Sequence, residues 1–228
     1  MTESNSVESL LTLLQLSDSA IPIGGYSHSW GLETWIQNDV ICDVVTAQEA
    51  IQQLLVRSIA PQDGIACGIA HRYCSDRQPQ QMAALNDLLT ASKWSKEIFQ
   101  ASIRMGHRLL KLALETNVVP SLHGLDTSCE YHHSTIFGWL AACAGASELS
   151  TISAYLQNSS NGLISACVRL IPLGHTDGQR ITVAMRTLIS DLAQKYSQRQ
   201  LDEISSFAPL HEAACFKHES LYSRLFQS

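Results

Sequence analysis

The chain has 228 residues, enough for one domain that buries about 70 to 75 % of the surface exposed by its unfolded form. Hydrophobic residues make up 45 % of the sequence, which excludes a disordered or fibrous protein. The formal net charge of −6 is small and the basic residues do not cluster, so nucleic acid is not expected as a partner.

The location in the cell is predicted from the N-terminus, the apolar runs and the cysteines. Residues 1–10 lack the basic and then apolar opening of a signal peptide, and the apolar runs are shorter than the ~20 residues that span a bilayer. The seven cysteines form no CxxC pair and their number is odd, as expected for buried thiols in a reducing compartment. We therefore expect a cytoplasmic protein without membrane contact.

The stretch SDSAIPIGGYSHSWGLE, residues 17–33, favours a structural corner between two helices. A helix over residues 10–16 cannot continue through a proline, two adjacent glycines permit positive φ, and a second helix starts within residues 26–35. No lysine follows the glycines, which excludes a Walker phosphate loop, and the spacing of Gly-x-Ser-x-Gly is absent. The corner residues are Pro22, Gly24, Gly25, Tyr26 and His28.

The next segment carries a helical repeat of apolar residues. Residues from Ala47 to Ile59 follow the i, i+3, i+4 spacing, and Thr46 with Glu49 forms a candidate capping box before them. Proline disrupts a helix interior, so we expect this helix to end at Pro61.

Three further stretches predict helices and one predicts a loop. Residues 95–115 carry two apolar stripes, typical of a central helix, and residues 134–146 are apolar on all sides, typical of a core helix. Residues 117–134 are irregular and predict a loop. Thr176 and Gln179 form a second candidate capping box before an apolar stripe over residues 181–192. The pattern predicts an all-α fold of about eight to ten helices in one domain, residues 1–228.

Two clusters of histidine and cysteine are candidate metal sites. One has ligands at i, i+4 and i+7, which would share a helix face: His211, Cys215 and His218. The other lies in the predicted loop: Cys129, His132 and His133. Histidines near a helix face are more often hydrogen-bonded structural residues than ligands.

The residues alone predict no active site. The aspartates at positions 63, 87, 126 and 177 are isolated near predicted helix ends, where capping explains them. Ser27 and His28 are sequence neighbours, which leaves only a weak hypothesis of a helical hydrolase. We therefore expect neither catalysis nor a cofactor.

Three long blocks, in this order, carry a resemblance to a known family. They are LLQLSDSAIPIGGYSHSWGLE, YLQNSSNGLISACVRLIPLGHTDGQR and APLHEAACFKHESLYSRLFQS. Together they resemble the urease accessory protein family UreF over essentially the whole chain. Tyr26 and His175 depart from the Phe and Gln that are more usual in the family. The first exchange keeps the aromatic ring, and the second affects only a contact made by a glutamine amide.

The resemblance implies a helical, non-enzymatic scaffold that forms homodimers. Such a scaffold binds UreD, also called UreH, and recruits and modulates the GTPase UreG, so that nickel is installed in apo-urease. The alternative from the residues is a nickel-binding metallochaperone that uses His211, Cys215 and His218.

The C-terminal segment, residues 207–228, is predicted to be a partner-docking tail. Apolar residues at near-helical spacing follow Pro209, and a guanidinium at Arg224 offers a planar fork of donors beside apolar anchors. The predicted partner-binding residues are His218, Glu219, Tyr222, Ser223, Arg224, Leu225 and Phe226. The alternative is that this tail only packs on its own domain.

Overall fold

The computed structural model describes residues 3–221 and 224–226. The α-helical segments are α1 (Glu3–Leu16), α2 (Leu32–Gln37), α3 (Val44–Leu54), α4 (Ile65–Ser75), α5 (Met82–Ser92), α6 (Lys96–Thr116), α7 (His133–Cys143), α8 (Glu148–Leu170), α9 (His175–Tyr196) and α10 (Pro209–His218). A π-helical stretch, Leu55–Gly64, joins α3 to α4 without a break, so these residues contain nine separate helical rods. The same residues contain no strand, which confirms the predicted all-α fold.

Pro61 does not end a helix, so that prediction was wrong. The proline lies inside the π-helical stretch and the chain continues as α4 to Ser75. A proline removes one backbone donor and crowds the preceding turn, and the wider π-turn gives its ring room. Burial keeps the helix intact, because Ala60, Pro61 and Gly64 all lie in the interior.

Both predicted capping boxes lie too far along the chain. The carboxylate of Asp43, not the Thr46 hydroxyl, caps α3, and it accepts from the Thr46 backbone N–H at 2.8 Å. At α9 the carboxylate of Asp177 accepts from the backbone N–H of Gly174 at 3.3 Å. The N-cap therefore lies three residues before the predicted one in α3 and two residues before it in α9.

Helix α7 is the centre of the core. It is buried on nearly all sides, as predicted from its apolar sequence, and packs against α4, α6 and α8. Gly138 allows the closest approach, because a Cβ there would lie 2.1 Å from the carbonyl oxygen of Cys67 in α4. The irregular segment before α7 runs from residue 117 to 132, as expected.

The C-terminal helix returns to the beginning of the chain. Helix α10 packs on α2, so the tail that follows it lies beside the corner between α1 and α2. Among the helices described, none combines the length and apolar character needed to cross a bilayer.

Candidate partner-docking site

The corner between α1 and α2 turns at two glycines with left-handed backbone. Gly24 has φ 86°, and a Cβ at this position would meet the Arg108 guanidinium at 2.1 Å. A single turn of 3-10 helix, Gly25–Ser27, follows, and Gly31 with φ 78° precedes α2. Gly25 does not have a positive φ. Of the adjacent pair, Gly24 alone therefore makes the left-handed turn.

Tyr26 and His28 face in opposite directions from the corner. Tyr26 is exposed, and the guanidinium of Arg169 in α8 stacks 3.6 Å from the centre of its ring. His28 is buried, and burial together with Arg104 and Arg108 lowers its pKa to about 4. The His28 imidazole is therefore neutral at pH 7, as suits an interior group.

Arg169 connects the corner to the C-terminal tail. Its guanidinium lies 3.6 Å from the ring centre of Tyr26 and 4.3 Å from that of Phe226. A cation over the face of an exposed ring such as that of Tyr26 contributes about 0.5 to 1 kcal/mol. The predicted corner and the predicted tail thus form one surface, joined by a residue that the sequence analysis did not select.

Glu33 of α2 binds the backbone of the tail. The side chain is buried, and its carboxylate accepts from the N–H of Leu225 at 2.8 Å and of Phe226 at 3.2 Å. The Nε2 atom of His218 lies 3.1 Å from the same carboxylate. A buried carboxylate needs such donors, because an unpaired charge in the interior is costly.

Glu97, in the first turn of α6, holds the other side of the tail. Its carboxylate lies 2.8 Å from Nδ1 of His218 and accepts from the Arg224 guanidinium at 3.2 Å. Both ring nitrogens of the buried His218 therefore face carboxylate oxygens, and both donate when the ring is an imidazolium. His218 is a bridge between α2 and α6.

The predicted partner-binding residues divide into anchors and surface groups. His218 and Phe226 are buried, so they position the tail and do not present a surface. Glu219, Arg224 and Leu225 are exposed. Tyr222 and Ser223 lie outside the described residues. An open cleft lies beside the tail, and it is lined by Glu97, Gln100, Arg104, Arg224 and Phe226.

Large apolar side chains are exposed within and next to the predicted docking segment, residues 207–228. Four of them are 75 to 81 % exposed, more than any other large apolar residue described: Leu225, Leu210, Phe207 and Trp94. Three of them belong to the predicted docking segment, residues 207–228. Trp94 is adjacent, because the backbone of Ser95 hydrogen-bonds to Glu212 of α10. Exposed apolar groups rimmed by charge are typical of protein interaction sites.

The predicted metal site on α10 does not form. His211 and Cys215 are adjacent, with Nε2 and Sγ 3.5 Å apart, but Nε2 of His211 is also 2.7 Å from the Trp30 carbonyl. Both nitrogens of His218 are directed to Glu33 and Glu97, away from the other two ligands. Helical spacing placed the three residues on one face, but the carboxylates from two other helices decide where His218 points.

The second predicted cluster is also dispersed. The ring of His132 hydrogen-bonds to Thr90 and Ser102 at 3.2 and 3.0 Å, and burial lowers its pKa to about 4. His133 packs on the rings of Phe137 and Tyr155, and Cys129 lies at the surface. These histidines are structural.

A buried ion pair lies beneath the corner. Lys93 donates to Asp63 at 2.8 and 3.0 Å and to Gln62 at 3.1 Å, and Ser134 donates to Asp63 at 2.9 Å. Burial alone raises the pKa of Asp63, but Lys93 and these hydrogen bonds outweigh it and leave the pKa below its usual range. Asp63 is not an isolated helix cap, contrary to expectation.

A cavity separates this ion pair from the corner. It has about 130 Å³ of space for water-sized groups, and its lining includes Asp63, Lys93 and Tyr26. His133 Nε2 and Glu212 Oε2 belong to residues that also line it, and neither atom has a hydrogen-bond partner among the residues that the structure describes. Ordered water is the natural partner for such atoms.

The sequence analysis did not select four residues of this region, because they come from distant parts of the chain and no local motif points to them. They are Glu33, Lys93, Glu97 and Arg169.

Comparison with known proteins places the chain in a family. The sequence model of the UreF family matches residues 41–186, more than half of the chain. The urease accessory protein UreF of Bacillus sp. (strain TB-90) is 34 % identical over 224 residues, 96 % of this chain and 99 % of the relative. The Geobacillus kaustophilus protein of that name is 34 % identical over 97 % of this chain and 99 % of its own length. The chain therefore belongs to the UreF family of urease accessory proteins.

Proposed function

We propose that this protein is a non-enzymatic cytoplasmic scaffold for insertion of nickel into urease. It binds UreD/UreH, recruits the GTPase UreG and modulates its activity, so that apo-urease receives its metal. Nucleotide chemistry belongs to the partner, since this chain has no Walker lysine after its glycine pair. The observation that carries the proposal is the exposed apolar surface around the C-terminal tail of a UreF family member.

The tail supplies both parts of a docking surface. Leu225 and Leu210 offer apolar area, and Arg224, with 42 % of its side chain exposed, presents part of its guanidinium to solvent beside its bond to Glu97. Arginine is enriched among interface hot spots, and exposed apolar patches mark interaction sites. Because Glu33 and Glu97 already fix the tail, docking to UreD/UreH costs less ordering entropy than docking of a free segment.

A second exposed apolar surface is suited to self-association. On α1, one face carries Val7, Leu10, Leu11 and Leu14, all 55 to 60 % exposed, whereas Leu13 and Leu16 point into the core. A two-fold axis across α1 would bury this stripe against its own copy. We propose a homodimer that presents two docking tails.

Co-purification with tagged UreD/UreH tests the docking proposal. Leu225→Asp and Arg224→Ala should each weaken capture of this protein and lower urease activation in the presence of UreG. Val183→Asp is the matched control, because Val183 is also an exposed apolar residue, but on α9. Capture of the Leu225→Asp variant at the level of the control would contradict the proposed surface.

A further inference from the structure

Two thiols and one imidazole meet on the side of the core formed by α4 and α7. The Sγ atoms of Cys74 and Cys143 are 3.4 Å apart, and the ligand atoms of these two residues and of His123 all lie within 4.8 Å of one another. Cys74 is buried, Cys143 is 9 % exposed and His123 is half-buried. No other trio of His, Cys, Asp or Glu converges in this way among the described residues.

The two cysteines follow a close backbone contact between α4 and α7. Gly138 of α7 lies against the carbonyl of Cys67 in α4, and Cys74 and Cys143 follow in the same direction along the two helices. The helices are therefore parallel at this contact, and both thiols lie in their last turns. The unpaired carbonyl groups at the C-terminal end of a helix favour a nearby cation.

The third ligand comes from the loop between α6 and α7. The indole N–H of the fully buried Trp139 donates to the carbonyl of Leu122 at 2.9 Å, which fixes the residue next to His123. The backbone N–H of His123 is bound in turn by the Ser121 hydroxyl at 3.1 Å. The imidazole is thus held beside the thiols by contacts that do not involve its ring.

We propose that Cys74, Cys143 and His123 form a binding site for one borderline-soft divalent cation such as Zn²⁺. Thiolate and imidazole are the ligands this class of ion prefers, and a tetrahedral ion bound at about 2.3 Å holds two sulfurs roughly 3.8 Å apart. The observed 3.4 Å needs only a small separation of the thiols. The thiol protons leave to solvent on binding, and a water or an added ligand fills the fourth position. This site is separate from the docking tail.

Co²⁺ titration of the reduced full-length protein tests the proposal. We expect one equivalent per chain to produce thiolate-to-cobalt charge transfer and tetrahedral ligand-field absorption, and Zn²⁺ to displace it. Cys74→Ser and Cys143→Ser should abolish the charge-transfer band, and His123→Asn should weaken binding and shift the ligand-field bands. The matched controls are Cys42→Ser and Cys129→Ser, because both thiols are exposed.

The wild-type result decides the case even if a core variant fails to fold. A reduced wild-type protein that gives no thiolate-to-cobalt band overturns the proposal, and so does a band that persists in a folded Cys143→Ser variant. Formation of a Cys74–Cys143 disulfide in air, with no Co²⁺ binding by the reduced protein, would also overturn it. Loss of the band in either exposed-cysteine control would assign the metal elsewhere.

Discussion

Lys93 and Asp63 show how much one interior charge depends on its partner. Replacing Lys93 by Met leaves the buried carboxylate with Ser134 as its remaining side-chain donor among those described, and should lower the free energy of unfolding by about 3 to 5 kcal/mol. Lys111→Met is the control, since the Lys111–Glu115 pair is exposed and contributes about 0.5 kcal/mol or less. Urea denaturation measures both, and equal losses would contradict the assigned role of Lys93.

Two buried histidines predict a loss of stability in mild acid. Burial lowers the pKa of His132 and His133 to about 4, so below pH 6.5 the unfolded chain binds protons that the folded chain does not. Stability that is present above pH 6.5 is therefore lost as the pH falls towards 4. Each such group contributes about 1.4 kcal/mol per pH unit to the slope between these values, and His28, whose pKa is also about 4, adds to it.

Urea titrations at a series of pH values measure this slope. A His133→Phe variant keeps an aromatic ring beside Phe137 and Tyr155 and should remove about 1.4 kcal/mol per pH unit from the slope. A variant that loses stability in parallel with the wild-type protein would show that His133 does not titrate in this range.

Gly24 and Gly25 are neighbours with different conformational demands. Gly24→Ala places a Cβ on a backbone with φ 86° and should cost on the order of 1 kcal/mol or more. At Gly25 an added Cβ meets only the flexible end of Met105, at 3.1 Å, so the loss should be smaller. Melting temperatures of the two single variants test this order, and the reverse order would be inconsistent with Gly24 as the turning residue.

At the scale of elements, the tail is held through Glu33. Replacing Glu33 by Gln turns one acceptor into an amide donor, so it removes one of the bonds that the carboxylate accepts from Leu225, Phe226 or His218. We expect faster hydrogen–deuterium exchange in the C-terminal peptide and little change in α7. Glu115→Gln, an exposed carboxylate of α6, is the control. Unchanged exchange in the Glu33→Gln variant would mean that packing of Phe226 holds the tail.

The sequence predicts elements better than their joints. Apolar periodicity gave α6 and α7 correctly, because the buried face of a helix repeats every three to four residues. Pro61 misled the prediction because tertiary burial stabilises a π-turn that local propensity disfavours. The site around Glu33 and Glu97 could not be predicted, because both residues lie more than 120 positions before the tail residues that they contact.

At the scale of the molecule, the proposed self-association depends on α1. Leu11→Asp places a charge in the centre of the exposed stripe and should shift the sedimenting species from dimer to the 25.0 kDa monomer without unfolding it. Leu149→Asp is the control, because Leu149 is a half-exposed apolar residue in the first turn of α8. A wild-type protein that sediments as a monomer, alone and with UreD present, would refute the dimer.

At positions 225 and 226, Glu33 binds the peptide N–H groups of the tail and not the side chains. At position 225 the backbone is anchored while the leucine is 81 % exposed, so the identity of this residue is separate from its placement. Any residue that keeps an N–H can occupy the position with the same geometry, and proline alone is excluded. A substitution at position 225 should therefore change the exposed side chain, and with it the proposed partner preference, without moving the backbone that carries it.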